Sequence, residues 1–369
     1  MKAASPTTSP IGREHGSNAY SLMTKITTIL PTFERPKLLR RAIESVLAQS
    51  IKDFTLCIYD NCSLDETQQV IEEYQKQDSR IRYYRRKRNV GLIENFALAL
   101  DEVQAPYFSF LSDDDYLLPL FYEIALEGFK NYPDVGFSAT RTLTINAKGK
   151  LLPMQFYHPF LKGYFPKGSA VEALASTKLF PIWTGILYRT EIMTQIGGLD
   201  KNASFAFDMD FTFRYACSSP IVISSKPGAI LMKWEKAAST LLDDGNFAHF
   251  DVIIENIKKL FIGTTEQKSL TLLKLHDLKR MACKHIWIYG LLSGQIEKAK
   301  RAKNFYLSEN TSEKSWLIHL LLLTETNLAL RKLFCIYFYT SRSFRSLRAR
   351  LRRNKDSEVH FFICKEKFL

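Results

Sequence analysis

From residue 25 the chain alternates between two kinds of segment, and that alternation restricts its fold more than any other feature. "KITTIL" is a β-branched run closed by Pro31, and "PKLLRRAIESVLAQ" follows at helical spacing with Pro36 at its start. "FTLCIYD" reads as a second buried strand. "SLDETQQVIEEYQKQ" opens with Ser63 and acids in its first turn, as a helix start does. "IRYYR", "GLIENFALALDEV" and "PYFSFLS" supply a third strand, a third helix and a fourth strand. Strands alternating with helices of this length predict an α/β fold, a doubly wound and mainly parallel sheet covered on both faces. Ligands of such sheets bind beyond the carboxyl ends of the strands.

That rule gathers the polar residues. Pro31, Thr32 and Arg35 follow the first strand, Asp60 and Asn61 end the second, and Asp113, Asp114 and Asp115 end the fourth. Adjacent carboxylates repel and push one another's pKa upward. Three together call for a cation, best a divalent metal with oxygen ligands, or else for a solvated turn before a helix starting near Pro119. The loop after the first strand, "PTFERP", has no glycine, so neither a dinucleotide fingerprint nor a Walker A loop is present. Phosphates would then be held by metal and by basic side chains such as Arg35.

In order, "TTILPTFERPKLLRRAIESVLAQ", "FTLCIYDNCSLDET", "NVGLIENFALAL", "FLSDDDYLLP", "GGLD" (197–200) and "FDMDFTFRYA" (207–216) resemble glycosyltransferase family 2, inverting enzymes of the GT-A fold. The resemblance implies a nucleotide-sugar site with Pro31, Thr32, Phe33 and Arg35 around the nucleotide. Asp60 would bond the base, Asn95 would face the diphosphate, and Asp113 would stand near the ribose. The acid triplet matches the family's metal-binding DxD in either of two registers. Asp113-x-Asp115 fits the bare pattern. Keeping the spacing to Pro119 instead puts Ser112 in the first acid's place and makes Asp114 the principal ligand of Mg²⁺ or Mn²⁺, with Asp115 beside it. Asp208 takes the position of the catalytic base, and Phe207 replaces the Glu that usually precedes it. Trp183, Thr184, Asp210 and Glu235 would complete the acceptor side, with Trp183 either stacking on a sugar ring or packing in the core at a strand end. Glu235 stands where relatives often carry a His. The expected reaction is transfer from a UDP- or dTDP-sugar to a hydroxyl of a saccharide or lipid-linked acceptor, as in bacterial surface-polysaccharide synthesis.

Charge divides the 369 residues. Residues 251–369 carry 23 Lys/Arg against 11 Asp/Glu, and the first 250 carry 28 against 27, so nearly all of the net +13 lies in the last third. The expected organisation is a disordered Ser/Thr/Pro-rich leader over 1–24, a GT-A domain over 25–248 and a helical, basic region over 249–369. Residues 331–355 hold nine Arg/Lys and no acid. Arg342, Arg345, Arg348 and Arg352 recur at three- and four-residue steps beside Phe344, Leu347 and Leu351. This predicts an amphipathic helix on an anionic membrane surface. A nucleic-acid partner is the competing class, but no extended basic track or recognition motif accompanies the segment. A catalytically silent sugar-nucleotide binder is the third, and the Asp60, Asp114 and Asp208 positions argue against it. The six cysteines lack metal-site spacing and read as reduced thiols of a cytoplasmic protein, peripheral on the inner membrane face.

Overall fold

The computed structural model describes residues 25–152, 161–176, 182–233, 247–293 and 295–308. The 1–24 leader, Glu235 and the 331–355 segment lie outside them. Strand β1 (Ile26–Thr32) is buried along its whole length. Side chains alternate across a strand, so Ile26 and Leu30 join one core while Ile29 joins the other. In β2 (Phe54–Asp60) the same period sends Phe54, Leu56 and Ile58 to the first core and Cys57 and Tyr59 to the second. The sheet is therefore covered on both faces.

Helix α1 (Pro36–Leu47) begins at a proline whose missing N–H costs nothing at that position. It buries Leu39, Ala42, Ile43 and Val46, the stripe of a helix lying on a sheet. α2 (Thr67–Gln77), β3 (Ile81–Arg85), α3 (Leu92–Leu100) and β4 (Tyr107–Phe110) continue the alternation. β3, β2, β1 and β4 stand side by side, all parallel, so their carboxyl ends share one edge.

Beyond β4 the pairing becomes mixed. The elements are β5 (Tyr116–Leu117), α4 (Phe121–Asn131), β6 (Phe137–Asn146), β7 (Gly163–Phe165), α5 (Ala170–Ala175), β8 (Ile186–Arg189), α6 (Thr190–Ile196), α7 (Phe207–Ser218) and β9 (Ile221–Lys233). Short 3-10 turns occupy Trp183–Gly185 and Lys201–Ala206. β8 lies antiparallel between β4 and β6, β9 runs parallel to β6, and β5 and β7 pair antiparallel with β9. The β6–β9 register breaks between Ala139 and Thr142. Gly228 lies there against Thr140, whose Oγ1 would be 2.3 Å from any added Cβ. The break allows β9 to run on past the triple-Asp turn.

Helices α8 (Ala248–Leu260), α9 (Thr265–Ser293) and α10 (Ile296–Ser308) follow. Ile253, Ile254 and Ile257 of α8 and Leu275 of α9 enter the same buried cluster as Trp183 and Phe207. A further cluster holds Trp287, Leu291, Ala299 and Tyr306 together. No helix among the described residues is long and apolar enough to cross a membrane. Cys57, Cys62, Cys217 and Cys283 are free thiols.

Candidate active site

The parallel edge collects the first group of polar side chains. Thr32, the last residue of β1, donates its hydroxyl to Asp113 Oδ2 at 2.8 Å. The chain then turns through Phe33, which is exposed, and Glu34, which has φ 52°. Positive φ is uncommon outside glycine, so this turn is over-determined by its surroundings, among them a bond from Glu34 N–H to Ser63 Oγ at 2.9 Å. The turn delivers Arg35 to the start of α1. Its Nη1 lies 3.2 Å from Asp113 Oδ1 and 3.5 Å from Asp114 Oδ2. Pro31, inside β1, is buried wall.

The three carboxylates diverge. Asp113 turns toward β1. Burial pushes it up to about 6, with Arg35 opposing and the Asp114 charge adding to the rise. Asp115 turns inward and accepts from Thr184 Oγ1 at 2.8 Å and from the Met232 backbone N–H at 3.0 Å. Burial raises its pKa also, and the neighbouring Asp114 charge adds to the rise. Asp114 points between them, on the Arg35 side. Arg41, one turn into α1, fixes the triplet's backbone by donating to the Asp114 carbonyl at 2.5 Å. Its guanidinium stacks over Tyr116 at 4.7 Å. Nothing in the spacing singles out Arg41 among the basic residues of α1, because its target is a backbone oxygen far along the chain.

The second group surrounds α7. Phe207 is buried against Trp183 (ring centroids 5.1 Å apart) and Phe96, and Trp183 also stacks on Phe110 at 4.4 Å. Each aromatic is followed by a polar residue of the site, Thr184 after Trp183 and Asp208 after Phe207. The cluster therefore links the triple-Asp strand to the start of α7. Asp208 Oδ1 accepts the Met209 N–H at 2.7 Å, and the residue's own backbone N–H also supports the carboxylate. Desolvation raises the Asp208 carboxyl to about 6, against the pull of backbone N–H donors.

Several expected roles change once partners are visible. Trp183, 6% exposed, is core packing rather than a platform for a sugar ring. Thr184 has no exposed surface and serves Asp115 instead of facing an acceptor. Asp210 has none either. Its carboxylate is held by Arg214 at 2.7 Å and by Asn256 at 3.0 Å, while Arg214 reaches on to the carbonyls of Ile196 and Gly198. Asn95 is buried and spans the Tyr59 carbonyl and Arg86 Nε, so it does not face a diphosphate in this structure. Asp60 is fully buried at the end of β2. Ser63 N–H and Oγ–H bond one of its oxygens, and Tyr83 O–H and Arg85 the other. Three hydrogen bonds and the ion pair with Arg85 Nε at 3.3 Å hold this carboxylate, and it has no exposed surface. Ser63, Tyr83 and Arg85 were not foreseen from the sequence, although Ser63 lies three residues from Asp60.

No group of three or more His, Cys, Asp or Glu among the described residues is arranged to hold a metal. Of the triplet, Asp115 is already committed to two donors, and Asp113 to Thr32 and Arg35. Asp114 also lies 3.5 Å from Arg35, and as a metal's single protein ligand it would share its carboxylate between the two. A hard divalent cation would need further oxygens from outside the protein, which a bound diphosphate and water supply.

A mixed sheet with four parallel strands, an acid triplet facing an arginine at their ends and a carboxylate at the start of α7 make up the candidate site. The model of glycosyl transferase family 2 matches residues 27–197. The fold is the GT-A fold of its structural neighbours. S. aureus TarS 1-349, solved in complex with UDP, superposes with a TM-score of 0.58 at 14% identity over 86% of this chain and 91% of that one. The mannosyltransferase PcManGT from Pyrobaculum calidifontis, solved in complex with GDP-Man and Mn2+, gives 0.53 at 13% identity over 90% and 87%. In sequence, the chain is 38% identical over 97 residues to the GalNAc(5)-diNAcBac-PP-undecaprenol beta-1,3-glucosyltransferase of Campylobacter jejuni. That match covers 26% of this chain and 31% of the relative, so the chain spans about a third of that protein's length.

Proposed function

We propose that the chain transfers a sugar from a nucleotide-sugar donor to a hydroxyl of a saccharide or lipid-linked acceptor, with inversion. The observation that carries this reading is Arg35 set across Asp113 and Asp114 at the ends of the parallel strands, with the half-buried Asp208 carboxylate at the start of α7. In this reading Pro31, Thr32, Phe33 and Arg35 border the nucleotide, and Asp60 braces the pocket through its bonds to Ser63, Tyr83 and Arg85. Asp114 would hold Mg²⁺ or Mn²⁺, and when bound the metal would offset charge on the departing diphosphate. Asp113 stands beside the ribose. Asp115 is the fastener that ties the acid turn to Thr184 and β9. Asp208 takes the acceptor's proton as its oxygen attacks from the face opposite the leaving group. A single carboxylate then suffices and no covalent intermediate is needed. The TarS and PcManGT complexes, with UDP and with GDP-Man and Mn²⁺, support a nucleotide-sugar donor. The Campylobacter relative's lipid-linked acceptor supports a similar acceptor here. A panel of sugar nucleotides, UDP-sugars first and dTDP-sugars second, with Mg²⁺ or Mn²⁺, tests the reading. At least one donor should release nucleoside diphosphate and raise thermal stability. A panel in which none does either would refute it.

A further inference from the structure

The loops that follow β2 and β3 lie at the same edge of the sheet as the candidate site, and hydrogen bonds join one to the other. Asn61 Nδ2 donates to Asn89 Oδ1 at 2.8 Å, and Asn61 Oδ1 accepts the Val90 N–H at 2.9 Å. Arg85 Nη2 donates to the Ser63 carbonyl at 2.7 Å. This joined rim presents both apolar and basic groups to solvent. Leu64 is 85% exposed, more than any other large hydrophobic residue described, and Leu92 at the start of α3 is exposed as well. Residues 82–88 hold five cations and no acid. Arg85 and Arg86 are engaged with Asp60 and Glu102, whereas Lys87 and Arg88 are exposed and meet no carboxylate among the described residues. Of the exposed acids beside Leu64, Asp65 is turned back onto Thr67 N–H and Oγ1, at 3.0 and 2.5 Å, and Glu66 is the other. A single exposed leucine is ordinary. A leucine fixed by bonded loops beside unpaired cations has the composition of an interfacial surface.

We propose that this rim docks on an anionic lipid bilayer, with Leu64 and Leu92 at the headgroup boundary and Lys87 and Arg88 against the acidic headgroups. Lipid suits the pattern better than a protein partner. Lysine is depleted from protein interfaces, which favour aromatic anchors. Leucine tips flanked by lysine and arginine suit an apolar layer beneath an anionic one. The loops are already bonded into shape, so little ordering opposes the contact. Two leucines and two cations make a small contact, which orients a chain at the surface and does not hold it there alone. That role is distinct from the attachment expected of residues 331–355. Docking turns the carboxyl edge of the sheet toward the bilayer. It needs no sugar nucleotide and stands whatever becomes of the transferase reading.

The test uses the full chain carrying Leu64→Trp, with vesicles of phosphatidylcholine and phosphatidylglycerol. The emission of the added tryptophan, taken as the difference from the parent chain, should shift to shorter wavelength and be quenched by brominated acyl chains. Co-sedimentation then compares variants of the full chain. Leu64→Asp should weaken vesicle binding by about tenfold, the scale of one leucine's burial. Lys87→Glu with Arg88→Glu should weaken it by about tenfold or more at low salt. Thermal midpoints should stay as in the parent chain. If the double variant loses its midpoint, Leu64→Asp alone carries the comparison. A chain that binds the vesicles while the added tryptophan stays unquenched is attached elsewhere, and the proposal is overturned. Absence of vesicle binding, or unchanged binding of Leu64→Asp, overturns it equally.

Discussion

Asp208 lies half-buried in the first turn of α7, and desolvation holds its carboxyl near 6. As the proton acceptor it must be ionised, so kcat/KM should fall about tenfold per pH unit below 6 and level off above it. A profile that stays flat down to pH 4.5 would remove Asp208 from the role. The same shift affects stability. A carboxyl whose pKa is raised on folding destabilises the folded state when ionised, and the penalty disappears as pH falls from 6 toward 4. Asp208→Asn should therefore stabilise the fold by about 1–2 kcal/mol at pH 7.5, with the gain shrinking below pH 6. Urea titrations at the two pH values measure it. Turnover in that variant should drop by about two orders of magnitude or more while donor binding persists. Asp114→Asn should instead lose metal-dependent donor binding along with turnover. Equal donor-binding losses in the two variants would show the roles to be misassigned.

At the level of elements, two buried assemblies hold the halves of the site in register. One is the polar knot in which Arg214 and Asn256 grip Asp210, tying α7 to the end of α6 and to α8. Removing one partner of a buried pair leaves the other charge uncompensated, so Asp210→Ala should cost about 3–5 kcal/mol. Chemical denaturation reads that cost directly, and a loss under 1 kcal/mol would mean the knot carries little. The other assembly is the aromatic row Phe96, Phe110, Trp183 and Phe207. Trp183→Ala should cost about 3–5 kcal/mol, and Trp183→Phe less, with the acceptor KM near the parent value. A large rise in acceptor KM for Trp183→Phe at unchanged stability would return Trp183 to a sugar-binding role.

Across the whole molecule, charge is distributed unevenly, with nearly all of the net +13 in residues 251–369. An acceptor anchored in a membrane is confined to two dimensions, and an enzyme held at that surface meets it more often than one in bulk. Each Lys or Arg near an anionic leaflet contributes on the order of 1 kcal/mol, so half of the nine in 331–355 suffice for attachment. Truncation after residue 330 should release the protein from anionic vesicles and leave activity on a short soluble acceptor largely unchanged. Co-sedimentation at low and high salt measures this. A full-length chain that ignores anionic vesicles at low salt would rule the attachment out.

The sequence by itself determined the first half of the sheet. Periodicity is a local property, and the segments read as β2 and β3 match the observed strands residue for residue, while Pro36 marks the start of α1. Parallel order then places Thr32, Arg35 and the acid triplet on one edge. The tertiary structure decided what each polar residue does there. Asp115 is a fastener because Met232, 117 residues away, brings its N–H to it, and Asp60 is held in place because Tyr83 and Arg85 arrive from β3. The antiparallel insertion of β8 between β4 and β6 was equally hidden. Local spacing shows which residues are polar and which face they occupy. Whether a buried carboxylate is free to react depends on donors that only the folded chain brings near.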